Sequence, residues 1–264
     1  MKLLFSEAPP DYGRYLYPYV VWAFPDPDET PADLFEAGFL PSLPDLSRYY
    51  LGRQLRLPLT TWRPNSENRR VLRKGSEWTC ELIPRAEFEY TDSRREAWLA
   101  YAAQRFGPGA MPQARLDRLM SNAVISHLLR FSDRTTGEEL GTVLLHLQSP
   151  RLAYYYFAFY DLTRKDRNLG MFMMTRAASR FAESGFARLY LGTCYSERAL
   201  YKTQFDGVEF FNGHRWSSNL AELKHLVRTE AATHRLDEPA YVALLEGGTL
   251  EPAIERGFRV TLPP

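Results

Sequence analysis

The stretch Tyr154-Tyr-Tyr-Phe-Ala-Phe-Tyr-Asp161 is dominated by aromatic residues, and it decides how the rest of the chain is interpreted. Aromatic side chains favour strands, so this run predicts a buried strand. Gly170 opens a segment in which apolar residues recur at steps of three and four as far as Gly185, which predicts a helix with one apolar face. Arg188-Leu-Tyr-Leu191 predicts a second strand. The order predicts a βαβ unit whose helix N-terminus presents N–H groups to an acyl or phosphate oxygen.

The segments around this unit also carry clear signals of secondary structure. Strand patterns at 123–131 and 139–147 flank a polar turn and, with 152–160, predict an antiparallel meander that leads into the βαβ unit. Residues 210–216 predict a hairpin, because Asn212-Gly213 favours a type I′ turn. The remaining predictions are a strand at 55–62 and helices at 32–37, 94–106, 220–232 and 239–246. Gly38 closes the first of these helices, and the second has Ala97, Trp98, Tyr101 and Ala102 on one face.

Length and composition indicate a globular protein. The chain has 264 residues, of which 45% are hydrophobic, enough for one large or two modest domains with a core. It carries no signal-peptide pattern and no apolar run of about 20 residues, so we expect a cytoplasmic protein without a membrane partner. Cys80 and Cys194 give no disulfide framework, and the five histidines show no metal-binding spacing, so no metal site is predicted.

A basic segment is the clearest charge feature of the sequence. The net charge of +1 gives no overall attraction to nucleic acid, so such a partner requires a local patch. Between Arg48 and Lys74 there are eight basic residues against the single acid Glu67. Arginine binds phosphate with two hydrogen bonds, and Trp62 offers a stacking face to a base. The alternative is an ordinary solvated surface.

Several short motifs, taken in order, resemble one family. They are Phe-Tyr-Asp161, Leu169-Gly170, Leu189-Tyr-Leu-Gly192, Tyr201-Lys202, Phe205, the stretch 213–216 and the basic segment 63–74. Their order is similar to that of the arginyl/leucyl-tRNA–protein transferases, and the resemblance covers residues 15 to 217. These enzymes move an amino acid from its tRNA onto a protein N-terminus. The resemblance implies an α+β fold with a GNAT-like acyltransferase domain, a mixed and mostly antiparallel sheet with flanking helices, after a smaller N-terminal domain.

The resemblance also implies domain limits, partners and site residues. We expect an N-terminal domain at 1–79 that ends in the basic segment, a catalytic domain at 80–219 and a helical tail at 220–264. The implied partners are aminoacyl-tRNA and an acceptor protein or peptide with an acidic N-terminal residue, and no cofactor is expected. The implied catalytic residues are Asp161, Tyr201 and Tyr160. The implied substrate-binding residues are Leu169, Gly170, Thr193, Tyr195 and Lys202, and those for tRNA or the acidic acceptor are Arg63, Arg69, Arg70, Arg73 and Lys74.

The chain departs from the family pattern at identifiable positions. Family members carry cysteines near the N-terminus and before the basic segment, where a metal or iron–sulfur centre can bind, but residues 1–79 contain none. Asp161-Leu162 replaces the common Asp-Pro, and Thr193-Cys194-Tyr195 replaces a more aromatic run. These residues leave open whether the transferred amino acid is arginine or leucine.

Two other functions compete with this prediction. Arg167-Asn-Leu-Gly170 partly matches the loop with which acetyltransferases bind the pyrophosphate of coenzyme A, although Phe172 stands where that loop needs a small residue. A coenzyme A-dependent N-acyltransferase is therefore one alternative, and a non-catalytic RNA- or protein-binding relative is the other. Asp161 has a structural interpretation as a helix cap or a turn residue. Cys194 lacks a catalytic histidine signature and is interpreted as a core or pocket residue.

Overall fold

The computed structural model describes residues 1–7, 19–164, 168–229 and 235–255. The chain forms two compact units. The terminal unit comprises Met1–Leu40, Tyr49–Arg56 and Gly192–Pro264, and the central unit comprises Pro41–Arg48 and Leu57–Leu191. The predicted domain limits at residues 79 and 219 stay a prediction.

The described residues contain strands and helices in mixed order. The strands are β1 Lys2–Glu7, β2 Tyr19–Phe24, β3 Phe39–Pro41, β4 Tyr49–Leu51, β5 Gln54–Pro58, β6 Trp78–Pro84, β7 His127–Asp133, β8 Glu139–Gln148, β9 Leu152–Tyr160, β10 Arg188–Thr193, β11 Glu209–Phe211 and β12 Trp216–Ser217. The α-helices are α1 Pro31–Glu36, α2 Ser66–Lys74, α3 Asp92–Phe106, α4 Gln113–Met120, α5 Leu169–Glu183, α6 Leu220–Arg228, α7 Pro239–Val242 and α8 Glu251–Glu255. Among the helices of the described part, none combines the length and the apolar character needed to cross a bilayer.

The central unit is built on a mostly antiparallel sheet. Its strands lie in the order β10-β9-β8-β7-β6, and β6 to β9 are antiparallel neighbours. Strand β10 instead runs parallel to β9, with Arg188 opposite Leu152 and Tyr190 opposite Tyr154. Helix α5 provides the crossover between these two strands. The predicted meander, βαβ unit and α+β fold class are therefore confirmed.

Helix α5 has the boundaries that its glycines predict. It begins at Leu169, and the expected apolar residues Met171, Met174, Ala177, Ala178 and Phe181 are buried, while Ala182, expected on the same face, is half-buried. It ends at Glu183, after which Gly185 takes a φ of +77° and Phe186 N–H bonds the carbonyl of Phe181 at 2.9 Å. Because its φ lies in the left-handed region, Gly185 acts as the C-terminal stop of α5, as predicted.

Helix α3 covers one end of the central sheet. Trp98, Tyr101 and Ala102 are buried in a core cluster with Phe159 of β9, and the Trp98 and Phe159 rings stack with centroids 4.6 Å apart. Ala97, which the sequence pattern places on the same face, is exposed. The pattern is therefore correct for the three buried positions and wrong for this one.

The terminal unit contains a four-stranded antiparallel sheet and a small second ladder. The first sheet has the order β1-β2-β4-β3, and in the second β11 pairs with both β5 and β12. Helix α1 ends as predicted, because Gly38 takes a φ of +94°. A Cβ at Gly38 would lie 2.5 Å from the Phe211 ring, so the close approach of this ring also requires glycine.

The predicted hairpin at 210–216 is present, but its turn type is wrong. Phe211 pairs with Trp216, which leaves a four-residue loop from Asn212 to Arg215 rather than a two-residue turn. Gly213 has a positive φ whereas Asn212 has not, so the type I′ turn is excluded. The Asn212 side chain accepts hydrogen bonds from the N–H groups of His214 and Arg215, at 3.3 and 3.0 Å. This local bonding replaces the tight turn.

Other boundaries also differ from the predictions. The strand expected at 123–131 begins only at His127, because Val124 and Ile125 N–H bind the Asn122 side chain in a turn. The strand expected at 55–62 ends at Pro58. The helix expected at 220–232 ends at Arg228, and residues 230–234 lie outside the described part. The helix expected at 239–246 spans only Pro239–Val242, while α2, α4 and β6 were not predicted at all.

Candidate active site

The junction between β9 and α5 brings several predicted residues together. An ideal Cβ on Gly170 would lie 2.8 Å from both Cζ and Oη of Tyr160, so the tyrosine ring occupies space that only glycine leaves open. Leu169 beside it is buried. Asn168 precedes the helix with a φ of 54°, and its side chain makes no capping bond. Tyr160, Asp161, Leu169 and Gly170 thus lie at one helix N-terminus. Arg167, the start of the proposed coenzyme A loop, lies outside the described residues.

The carboxylate of Asp161 shapes the turn that follows β9. Oδ1 accepts hydrogen bonds from the N–H and the hydroxyl of Thr163, at 2.8 and 2.6 Å, and Oδ2 lies 3.4 Å from Nε of Arg164. Burial would raise the pKa of Asp161, but the bonds from Thr163 and Arg164 outweigh it and hold the pKa below its usual value. The aspartate is therefore ionised near neutral pH and available to bind a cation.

An open cleft of about 980 Å³ lies beside this turn, within the central unit. Its floor is aromatic, since the Trp98–Phe159 stack continues to Tyr101, whose ring lies 5.0 Å from that of Tyr160. The charged lining residues are Glu89, Arg94, Glu139 and Asp161. This volume is at the upper end of the range of about 300–1,000 Å³ that ligand pockets occupy. The cleft therefore has room for an organic group the size of an amino acid.

The other predicted substrate residues lie at the end of β10 in the terminal unit. The Lys202 ammonium donates a hydrogen bond to the carbonyl of Thr193 at 3.0 Å. Burial lowers the pKa of Lys202 to about 8. The Tyr195 hydroxyl accepts a hydrogen bond from the backbone N–H of Arg53 at 2.6 Å. Thr193, Tyr195 and Lys202 are therefore brought together, and Arg53 joins them.

Tyr201 and Cys194 differ in their access to solvent. Tyr201 belongs to the 3₁₀ segment Glu197–Gln204 and is 42% exposed. Cys194 is fully buried, and burial raises the pKa of its thiol. A buried neutral thiol is a poor nucleophile, which supports the interpretation of Cys194 as a core residue.

The basic segment forms a helix with a charged outer face. Helix α2 starts at Ser66 behind the Asn65 cap, and its buried residues are Asn68 and Val71. The cations proposed for tRNA or acceptor binding are all exposed: Arg63, Arg69, Arg70, Arg73 and Lys74. Arg70 forms an ion pair with Glu67 at 2.5 Å. This pair compensates only one of the five positive charges.

One part of the nucleic-acid prediction is wrong. Trp62 is only 4% exposed, so its ring cannot stack on a base.

Phe172 is also buried. Its ring lies edge-on to Trp78 at a centroid distance of 4.9 Å, and a Cβ on Gly75 would lie 2.5 Å from the Phe172 ring. Phe172 therefore fills the core beneath helix α2.

Sequence reasoning missed Arg53 and the role of α3 in lining the cleft. Arg53 was counted only as one of the basic residues, because nothing in the local sequence indicates that it reaches Tyr195, which lies 142 positions later. The aromatic spacing of α3 did predict Trp98 and Tyr101 on one face. In the described part of the chain, no group of three or more His, Cys, Asp or Glu side chains could hold a metal ion.

The fold is of the α+β class, with an antiparallel meander that leads into a helix and a parallel strand. No protein-family model matches the chain. Within that class the chain is similar to the aminoacyl-tRNA–protein transferases, which confirms the resemblance seen in the motifs. It is 27% identical over 172 residues to an aspartate/glutamate leucyltransferase of Phenylobacterium zucineum, an alignment of 61% of this chain and 65% of the relative. The corresponding Pseudomonas aeruginosa protein is 26% identical over 166 residues, 61% of this chain and 68% of the relative.

The likeness to solved structures is more distant. The C-terminal domain of a putative lysylphosphatidylglycerol synthetase from Agrobacterium fabrum has a TM-score of 0.42 and 15% identity, over 54% of this chain and 46% of that one. A GCN5-related glucosamine N-acetyltransferase region of a fungal β-N-acetylglucosaminidase has a TM-score of 0.40 and 10% identity, over 60% and 19%. Scores this low carry no argument about function.

Proposed function

We propose that this protein is an aminoacyl-tRNA–protein transferase, which moves an amino acid from charged tRNA to the N-terminal amine of an acceptor protein. The similarity to named leucyltransferases supports this proposal, although it extends over only about two thirds of their length. The observation that carries it is the junction of Tyr160, Asp161 and Gly170 beside a cleft large enough for an amino acid. Because charged tRNA is the proposed donor, we propose a cytoplasmic location as well.

The finer specificity follows the names of the relatives. Leucine is the first candidate for the transferred amino acid, and arginine is the second. An acceptor that begins with aspartate or glutamate is proposed for the same reason. The exposed cations of α2 are proposed to contact the tRNA, because phosphate contacts account for most of the affinity for nucleic acid.

The reaction needs little acid–base chemistry. An aminoacyl ester is already activated, and an N-terminal amine has a reference pKa of about 7.7–8.0, so a usable fraction is neutral near pH 7. The protein has to align the amine with the ester and to stabilise the oxyanion of the tetrahedral intermediate. No strong general base is required.

We assign these tasks to residues on the basis of charge and access. Asp161, ionised and 30% exposed, orients the attacking or transferred α-amine through a charge-assisted hydrogen bond. Tyr160 lies beside Asp161 in the chain, and its ring packs against Gly170 at the N-terminus of helix α5. Tyr201, which is 42% exposed, donates its hydroxyl proton in a hydrogen bond to the oxyanion. The N–H of Cys194 is bound to the carbonyl of Arg53 at 2.8 Å and is not assigned this task.

The test is a transfer assay with separate donors. The purified chain is incubated with leucyl-tRNA or arginyl-tRNA and peptides that begin with Asp, Glu, Asn or Ala, and mass spectrometry identifies the adducts. We expect a leucyl adduct on the acidic peptides. Acetylation of a peptide by acetyl-coenzyme A would favour the rival acyltransferase. Tight tRNA binding without any adduct would favour a non-catalytic relative.

A further inference from the structure

Within the described part of the chain, two cations of the terminal unit have no acidic partner. Among the residues that the structure describes, no carboxylate lies within ion-pair distance of Arg53 or Lys202. A guanidinium N–H of Arg53 donates to the carbonyl of Leu226 at 3.2 Å, and the ammonium of Lys202 donates to that of Thr193 at 3.0 Å. Each cation therefore has a neutral acceptor where an anion would be more favourable.

Arg56, a buried cation of the same unit, has acidic partners, in contrast to Arg53 and Lys202. Its guanidinium forms ion pairs with Glu36 at 2.8 Å and with Glu209 at 2.7 Å, and it lies 3.9 Å from the centroid of the Trp216 ring. The charge of Arg56 is thus compensated by the protein itself. The charges of Arg53 and Lys202 are not compensated in this way.

The ammonium of Lys202 and the backbone carbonyl of Arg53 hold the same strand end. The peptide group between Thr193 and Cys194 accepts a hydrogen bond from Lys202 through its carbonyl, and through its N–H it donates to the carbonyl of Arg53 at 2.8 Å. The guanidinium carbon of Arg53 also lies 5.1 Å from the ring centroid of Tyr195. Two positive side chains therefore flank a segment already assigned to substrate binding.

The environment makes these charges costly in the absence of an anion. Burial lowers the pKa of Arg53, and it lowers the pKa of Lys202 to about 8. Burial likewise raises the pKa of the Cys194 thiol, while the charges of Lys202 and Arg53 act in the opposite direction on that thiol. An anion bound here would offset the desolvation of both cations.

We propose that Arg53 and Lys202 form an anion subsite at the end of strand β10, which binds the carboxylate of the acidic acceptor residue. The proposal rests on the proposed function, because an acceptor that begins with Asp or Glu supplies this carboxylate. The tRNA phosphates are assigned instead to the exposed cations of α2. The protein's own bonds to Leu226 and Thr193 hold the two cations in place for the incoming oxygen.

Equilibrium binding distinguishes the acceptor carboxylate from a tRNA phosphate without requiring turnover. Fluorescence anisotropy is measured with a labelled peptide that begins with Asp, with its Asn counterpart and with uncharged tRNA, and inorganic pyrophosphate is used as a probe by thermal shift. The variants are Arg53→Gln and Lys202→Gln. Arg198→Gln is the matched control, because it removes one exposed cation from the same 3₁₀ segment as Lys202.

Loss of a charge-assisted hydrogen bond predicts a decrease in affinity of about 10- to 100-fold. We expect this decrease in both glutamine variants for the Asp peptide, with tRNA affinity, and every affinity of Arg198→Gln, within about twofold of wild type. A loss confined to the Asp peptide supports the acceptor carboxylate as the occupant. A loss confined to tRNA would contradict this occupant and indicate a phosphate instead.

The pH dependence gives a second test that does not depend on the folding of the glutamine variants. Lys202 is charged below about pH 8 and loses its proton above it, so wild-type affinity should decrease between pH 7 and pH 9.5. The titratable group that acts on Lys202 is the Cys194 thiol, which burial keeps neutral around pH 8. In Lys202→Arg the charge persists at both pH values, so this decrease should disappear.

Two results would overturn the anion subsite. One is affinity within twofold of wild type for every ligand in both glutamine variants. The other is the same pH dependence in Lys202→Arg as in wild type. Failure of amino-acid transfer with pyrophosphate binding intact would refute the proposed function and leave the subsite standing, so the two failures are distinguishable.

Discussion

Substitution of Gly170 by alanine tests whether the junction of β9 and α5 serves catalysis. The added Cβ would lie 2.8 Å from Cζ and Oη of Tyr160 and 3.2 Å from Cε1, so the ring has to move. Overpacking of a rigid core costs about 1–3 kcal/mol, but these atoms are the far end of a side chain that borders an open cleft. Alanine also gains about 0.5–1 kcal/mol over glycine within a helix. We therefore expect the free energy of unfolding to change by less than about 1 kcal/mol.

The effect on activity should be much larger than the effect on stability. A displacement of about 1 Å at a positioning group can cost about 100-fold in rate. We expect Gly170→Ala to lower kcat in single-turnover transfer with saturating charged tRNA by about 10- to 100-fold, with urea unfolding nearly unchanged. The double variant Gly170→Ala/Tyr160→Ala is the control. If the clash with Tyr160 is the cause, the double variant and Tyr160→Ala alone should have the same rate. A Gly170→Ala enzyme with wild-type kcat would refute the catalytic role of this junction.

Three further predictions address other parts of the chain. Replacing Arg69, Arg70 and Arg73 by alanine should flatten the salt dependence of tRNA binding, since each lost phosphate contact removes about 0.7–0.9 from the logarithmic slope; an unchanged slope would place the tRNA elsewhere. Asp161→Asn keeps an acceptor for Thr163 but loses the charge and should lower kcat by about 100-fold, as should Tyr201→Phe, while tRNA affinity stays intact; rates within about threefold of wild type would make these residues structural. Metal analysis of purified protein should find no stoichiometric iron or zinc, because residues 1–79 lack the thiolate ligands of the family, and one equivalent of either would contradict this expectation.

The central elements could be predicted because their signals are local. Strand β9 was predicted with its observed bounds, Leu152–Tyr160, from an aromatic run, and helix α5 from apolar residues at helical spacing between two glycines. Both signals depend on neighbours within a few positions along the chain. The hairpin at 210–216 was found in the same way. Its loop was predicted wrongly because the Asn212 side chain binds the loop backbone instead of entering a tight turn.

Long-range packing decided which of the candidate residues are accessible. The sequence made Trp62 as suitable for stacking on a base as the arginines beside it were for binding phosphate. The fold buries Trp62 and exposes Arg63, and no local pattern distinguishes these two outcomes. From the sequence, Cys194 is interpreted as a core or pocket residue. Its complete burial gives the physical reason for assigning it to the core.

The sequence by itself determined the order β7-β8-β9-α5-β10, the glycine at the start of α5 and the resemblance to a transferase family, because these depend on local periodicity and on short motifs. Only the tertiary structure decided that Tyr160 lies against Gly170, that Asp161 is held ionised by Thr163 and Arg164, and that Arg53 reaches Tyr195. Such contacts join residues from different elements, and their electrostatic consequences depend on burial and distance. Neither quantity exists until the chain has folded.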